Sequence, residues 1–68
     1  MELRDLFVKY NLGRYGLDFK TIYNVLKNKR YYSNKDDFEI DLERALDEGT
    51  IVCIRENNVN KFYLAELV

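Results

Sequence analysis

Histidine, proline and tryptophan are absent from this chain of 68 residues, which also has only one cysteine and three glycines. A structural zinc site needs several Cys or His ligands, so a single copy of this chain cannot form such a site. A serine or cysteine nucleophile would lack its usual general base. The glycines are too scattered to form a phosphate-binding loop. These absences lead us to expect no metal site, no cofactor and no enzymatic activity.

Long apolar runs are also missing, and acidic residues stand near the N-terminus where a signal peptide would be apolar. We therefore expect an intracellular, cytoplasmic protein with no membrane contact. The single cysteine, Cys53, cannot form a disulfide within the chain. It lies in an apolar strand pattern, which predicts a buried, unreactive thiol.

Apolar residues nevertheless make up 47% of the chain, and six tyrosines and four phenylalanines supply large rings. This composition predicts a folded domain spanning residues 1–68. So short a chain forms only a small core, and a core shared with a second copy would stabilise the fold. We therefore expect a homodimer. Abundant Asn, Lys, Tyr and Ile are typical of small viral or archaeal proteins.

Apolar spacing predicts three helices, near residues 3–10, 18–29 and 34–48. The predicted buried faces of the first two consist of Leu3, Leu6, Phe7 and Tyr10, and of Phe19, Ile22, Tyr23 and Leu26. The inward face of the third should consist of Phe38, Leu42, Ala45 and Leu46. Asp18 is the predicted N-cap of the second helix, and Ser33 or Asn34 that of the third. Gly49 should end the third helix, because glycine readily adopts the left-handed conformation found there.

A hairpin is predicted directly after Gly49. Residues 50–55 and 61–64 are rich in β-branched and aromatic side chains, and the segment 56–60 between them has turn chemistry. We expect residues 50–55 to pair with residues 60–65. The predicted fold class is therefore α+β, with three helices followed by a two-stranded antiparallel ribbon.

This order resembles the winged helix-turn-helix superfamily, most clearly over Leu42–Ile51 (LERALDEGTI) and Phe62–Leu64 (FYL). The resemblance implies that the second and third helices form the helix-turn-helix, that the third enters the DNA major groove and that the wing touches the backbone. It implies a small DNA-binding regulator of transcription. Gly13 and Gly16 are also similar to the GxxG loop of KH domains, but that fold needs a strand before the first helix.

Charge is distributed unevenly along the chain. Residues 1–35 carry eight basic and three acidic side chains, whereas residues 36–68 carry three basic and nine acidic ones. The third helix is thus mostly acidic, which does not suit direct contact with phosphates. The residues predicted to contact nucleic acid are Lys27, Lys29, Arg30, Tyr32, Asn34, Lys35, Arg44, Arg55 and Lys61. Alternatively, Tyr31 and Tyr32 close the core and the neighbouring lysines only solvate a helix end.

Ile40 suggests a second function. Helical periodicity places it away from Phe38 and Leu42, on the outer surface of the third helix. An exposed isoleucine surrounded by charge suits a protein contact better than DNA. The predicted protein-interaction face consists of Asp36, Asp37, Ile40, Asp41, Arg44 and Asp47. The alternative function is therefore a module that inhibits or adapts a host factor, in which carboxylates could imitate phosphates.

Overall fold

The computed structural model describes residues 1–68 as an α+β fold with three helices and a three-stranded antiparallel sheet. In chain order the elements are α1 (Leu3–Lys9), β1 (Leu17–Asp18), α2 (Phe19–Asn28), α3 (Lys35–Glu48), β2 (Ile51–Glu56), β3 (Val59–Leu64) and a final 3-10 turn (Ala65–Leu67). All three helices lie within one residue of their predicted limits. No helix has the length and apolar character needed to cross a membrane.

The N-caps of α2 and α3 are those that the sequence predicts. The Asp18 carboxylate accepts a hydrogen bond from the Thr21 backbone N–H at 2.9 Å. Asn34, rather than Ser33, caps α3 by accepting from the Asp37 N–H at 3.0 Å. Each cap satisfies a backbone donor that the first helical turn leaves without a partner.

All three helices end in the same way. Just past each helix, one residue adopts a positive φ: 56° at Asn11, 66° at Arg30 and 79° at Gly49. In each case the backbone N–H of the following residue bonds back to the helix, to Phe7, Leu26 and Ala45 respectively. This is the Schellman arrangement, which satisfies free carbonyl groups at a helix end. Gly49 is confirmed as the stop of α3.

The sheet corrects the prediction of a two-stranded ribbon. Leu17 and Asp18 form a short strand that pairs with Phe62 and Lys61 of β3, so β3 is the central strand and the order is β1-β3-β2. Two residues are too few to show any alternation in the sequence, and their pairing depends on a segment over 40 residues away. No strand precedes α1, so the KH arrangement is not present.

The β2–β3 hairpin has the predicted register, with Ile51 opposite Leu64 and Arg55 opposite Asn60. Its turn is tighter than the segment 56–60. Only Asn57 and Asn58 form it, both with positive φ, as a type I′ hairpin turn requires. Pairing therefore extends to Glu56 and Val59.

The prediction of a buried thiol is wrong, because Cys53 is exposed. Its neighbour Ile51 is buried, but from Cys53 onward every residue of β2 is exposed. β2 lies at the edge of the sheet, paired on one side only, and Cys53 is exposed although its partner Phe62 is buried. An apolar strand pattern does not reveal whether a strand will lie at a sheet edge.

The helices and the base of the sheet enclose one apolar core. Its buried side chains are Leu3, Leu6, Phe7, Leu12, Ile22, Tyr23, Leu26, Phe38, Leu42, Ala45, Ile51, Phe62 and Leu64. Tyr10, Phe19 and Leu46, which the helical spacing also assigns to buried faces, pack against this core while only partly buried. Gly13 lies so close to Leu64 that an added Cβ would come within 2.7 Å of the Leu64 backbone nitrogen. This approach ties the α1–β1 loop to the end of β3.

Candidate nucleic-acid interface

The C-terminal ends of α1 and α2 meet at a pair of tyrosines. The rings of Tyr10 and Tyr31 contact edge to face with centroids 5.8 Å apart, and their hydroxyl oxygens are 2.9 Å apart, within hydrogen-bond distance. Tyr10 follows the last residue of α1, and Tyr31 lies just past the end of α2. Two basic helix ends are thereby brought together.

Two lysines lie against this pair. The Lys9 ammonium donates to the Tyr31 hydroxyl at 3.4 Å and lies 5.5 Å from the centre of the Tyr10 ring. The Lys29 ammonium lies 5.1 Å from the centre of the same ring. Both distances allow a cation–π interaction. We call Lys9, Tyr10, Lys29 and Tyr31 the tyrosine–lysine cluster.

The hydrogen bonds polarise the two hydroxyl groups in opposite directions. Hydrogen bonds from Tyr10 and Lys9 favour the ionised form of Tyr31 and lower its pKa. The hydrogen bond to Tyr31 raises the pKa of Tyr10. The two hydroxyl groups share one hydrogen bond, and either of them can donate it.

None of the cations around the cluster has a carboxylate partner. The protein contains three ion pairs, which join Arg4 to Asp5 and to Glu66, and Arg44 to Asp41. Lys27 lies 5.9 Å from the centre of the Tyr23 ring and forms no ion pair. Lys29 and Arg30 also form none, and all three side chains are exposed. Their charges are available to an anion from outside.

Arg30 occupies a position that usually favours glycine. The equivalent positions after α1 and α3 hold Asn11 and Gly49, residue types that tolerate positive φ. An arginine there costs about 1–2 kcal/mol because its Cβ crowds the backbone. A strained residue among unpaired cations suggests that its charge has a use outside the fold.

Replacing Arg30 with glycine should make the protein more stable. Glycine relieves the left-handed strain, although its greater freedom in the unfolded chain offsets part of the gain. The free energy of unfolding should rise by about 1 kcal/mol, which corresponds to about 4–8 °C in melting temperature for a domain of this size. If the charge serves DNA binding, R30G should also weaken binding. Asn11→Gly is the matched control, since it changes the same backbone position after α1 without removing a charge. A fall in melting temperature for R30G would contradict this interpretation.

Two of the predicted contact residues have structural roles. The Tyr32 ring packs edge-on against buried Phe38 at 5.3 Å, and its hydroxyl donates to Asp41 at 2.7 Å. Burial, followed by this hydrogen bond, raises the Tyr32 pKa well above its usual range. The Asn34 amide is used at both ends, because its oxygen caps α3 and its nitrogen donates to the Asp37 carboxylate at 3.2 Å. Both side chains are therefore engaged in hydrogen bonds within the protein.

The other predicted cations are dispersed. Lys35, the first residue of α3, is exposed and unpaired, whereas Arg44 lies 3.9 Å from the Asp41 carboxylate. On the hairpin, Arg55 donates to the Asn60 side chain at 3.0 Å, and Lys61 is half-buried opposite Ile54 and Asp18. The ribbon therefore presents only weak positive charge.

The outer surface of α3 is acidic with one apolar side chain. Ile40 is 55% exposed, which confirms that it faces away from the core. Asp36, Asp37 and Asp47 are exposed, while Asp41 is half-buried beneath the Tyr32 hydroxyl. The structure thus separates a basic end, built from α1 and α2, from an acidic helix.

Sequence reasoning missed Lys9 and Tyr10 as part of this basic end. Periodicity assigns Tyr10 to the buried face of α1, and a single lysine such as Lys9 gives no binding signal by itself. A usable signal was present, since Lys9-Tyr10 and Lys29-Arg30-Tyr31 both join a cation to tyrosine at a helix end. Only the folded chain brings the two segments together.

The remaining surface offers no other clear site. Two depressions of about 160 and 250 Å³ flank Arg4, and both are smaller than the roughly 300 Å³ typical of small-molecule sites. No group of three or more Cys, Asp or Glu side chains is placed to hold a metal ion. No protein-family model, curated protein or solved structure matches the chain.

Proposed function

We propose that the protein is a small winged helix-turn-helix domain that binds double-stranded DNA and regulates transcription. The order of its elements supports this proposal. Helices α2 and α3 are joined by the short connector 29–34, and the β2–β3 hairpin follows α3 directly. A helix-turn-helix followed by a wing has the same order.

The observation that carries the proposal is the set of unpaired cations at the ends of α1 and α2. Lys9, Lys27, Lys29 and Arg30 make no ion pair, although the chain has twelve carboxylate side chains. Exposed cations held near aromatic rings suit contact with a phosphate backbone. Phosphate contact supplies affinity without reading sequence.

The acidic α3 determines the mode of binding that we propose. A major-groove helix normally offers donors to base edges, but the exposed surface of α3 offers mainly carboxylates. Lys35 is the one unpaired cation of this helix, at its N-terminal end. We therefore propose that DNA is held chiefly through its backbone, with little selection among base sequences.

A salt titration tests this function. The affinity of the protein for a random-sequence DNA duplex, measured by fluorescence anisotropy, should fall linearly with the logarithm of salt concentration. The slope should be about −0.9 for each phosphate contact, or roughly −3 to −4 for the cations at the basic end. Absence of binding at low salt, or binding that is independent of salt, would overturn the proposal.

Ile40 supports a second candidate function, a protein-interaction module that acts on a host factor through α3. Its side chain is 55% exposed and lies one helical turn from Asp36, Asp37 and Arg44. An apolar anchor inside a ring of charge is common in protein interfaces. The same face could instead mediate a homodimer.

Changing Ile40 to aspartate separates the two functions. The melting temperature should barely change, because no buried contact is lost. If the protein binds DNA as proposed, the affinity for a random duplex should fall only modestly through the added negative charge. Loss of self-association in analytical ultracentrifugation, with DNA affinity retained, would favour the interaction surface. A large fall in melting temperature would contradict the outward placement of Ile40.

A further inference from the structure

We propose that Lys9, Lys29 and the Tyr31 hydroxyl form a clamp for one phosphate of a nucleic-acid backbone, so that α1 takes part in binding together with the helix-turn-helix. This inference rests on the proposed function and adds to it a site that α2 and α3 alone cannot provide. The clamp joins two segments that are 22 residues apart, as the Lys9–Tyr31 hydrogen bond shows.

The electrostatics of the two lysines favour a bound anion. The ammonium groups of Lys9 and Lys29 both lie against the Tyr10 ring, at 5.5 and 5.1 Å from its centre. Two positive charges at one ring repel each other, and the face of the ring offsets only part of that repulsion. No carboxylate lies within ion-pair distance of either lysine. A bound phosphate would supply the missing negative charge.

The hydroxyl group of Tyr31 can supply a further hydrogen-bond donor. The Tyr31 oxygen accepts a hydrogen bond from Lys9 at 3.4 Å and lies 2.9 Å from the Tyr10 oxygen. When Tyr10 donates across that short distance, the Tyr31 O–H has no acceptor within the protein. Tyr31 is 36% exposed, so its proton can be donated to a phosphate oxygen.

The donors of the clamp are preorganised. Exposed lysines normally lose side-chain freedom when they bind, which weakens each contact. Here Lys9 is already held by a hydrogen bond, and both lysines are held by the Tyr10 ring. Tyr10 is half-buried and packs against the core, and Tyr31 contacts its ring edge to face. A phosphate therefore meets donors that are already in place.

The test measures salt dependence in single variants of the full chain, with a random-sequence DNA duplex as the probe. Lys9→Ala and Lys29→Ala should each reduce the slope of log affinity against log salt, and the double variant should reduce it by only about 0.9 in total, because both lysines contact the same phosphate. Lys9→Arg should restore the slope, because the charge is kept. Lys20→Ala is the matched control, an exposed lysine outside the cluster whose loss should leave the slope unchanged. Tyr31→Phe should lower affinity about tenfold with little change in slope, since it removes a donor but no charge.

The outcomes distinguish the clamp from the proposed function. If wild-type protein binds DNA and K9A keeps the full slope, the clamp is wrong while DNA binding through α2 stands. If K20A reduces the slope as much as K9A does, the lysines act as diffuse charge and the clamp is again wrong. If wild-type protein does not bind the duplex, the proposed function and the clamp both fall.

Discussion

Replacing Phe38 with alanine should unfold most of the protein at room temperature. Phe38 is fully buried, and its ring lies 4.9, 5.8 and 5.3 Å from the rings of Phe19, Tyr23 and Tyr32. Losing a buried phenylalanine costs about 3–5 kcal/mol, because it removes contacts and leaves a cavity. A core in a domain of this size supplies only about 3–5 kcal/mol of net stability. Loss of the cooperative thermal transition in circular dichroism is the expected result.

The matched control lies two residues away on the same helix. Ile40→Ala also removes a large apolar side chain, but this one is 55% exposed. Its effect on the free energy of unfolding should stay within about 0.5 kcal/mol. If F38A melts like the wild type, or if I40A is destabilised as much as F38A, then α3 is rotated from the position described and its acidic face is misplaced.

Replacing Lys27, Lys29 and Arg30 together with alanine should produce the largest loss of DNA affinity. These cations are exposed, unpaired and adjacent at the end of α2. If each contacts one phosphate, the salt slope should shrink by about 2.7, which corresponds to a loss of up to about 500-fold at 0.1 M salt. The loss should be similar for all duplex sequences, because phosphates carry no sequence information. Anisotropy titrations at several salt concentrations give both quantities.

Stability and charge must be separated in that comparison. The triple variant removes the strained arginine, so its melting temperature should be measured beside its affinity. Arg14→Ala/Lys20→Ala is the control, since both residues are exposed cations of the same half of the chain outside the tyrosine–lysine cluster. For each charge removed, the salt slope of this double variant should change far less than that of the triple variant. An unchanged slope for the triple variant would mean that the end of α2 is only a solvated helix end.

Helix positions were predictable because short-range rules determine them. The spacing of Phe38, Leu42 and Ala45 identifies the buried face of α3, and all three are buried. Asp18 and Gly49 mark a helix start and a helix stop by chemistry that acts within one turn. The outward position of Ile40 follows from the same periodicity.

Other features depend on contacts that no local pattern contains. The pairing of β1 with β3 and the contact of Lys9 with Tyr31 require segments distant in sequence to come together. The exposure of Cys53 goes with the position of β2 at the edge of the sheet. Tyr32 and Asn34 show the opposite problem. Both are residue types suited to nucleic acid, yet the fold uses one against Phe38 and the other as a helix cap. Composition does not reveal whether a polar side chain already makes its hydrogen bonds within the fold.

The most direct test of DNA binding through the basic end is a nuclear magnetic resonance titration of the labelled protein with a short random-sequence duplex. Binding through the basic end predicts that the largest changes in amide chemical shift fall at residues 9–10 and 27–31, and that these changes diminish as salt is raised. Changes confined to the acidic face of α3 between residues 36 and 47, or no changes at low salt, would contradict it.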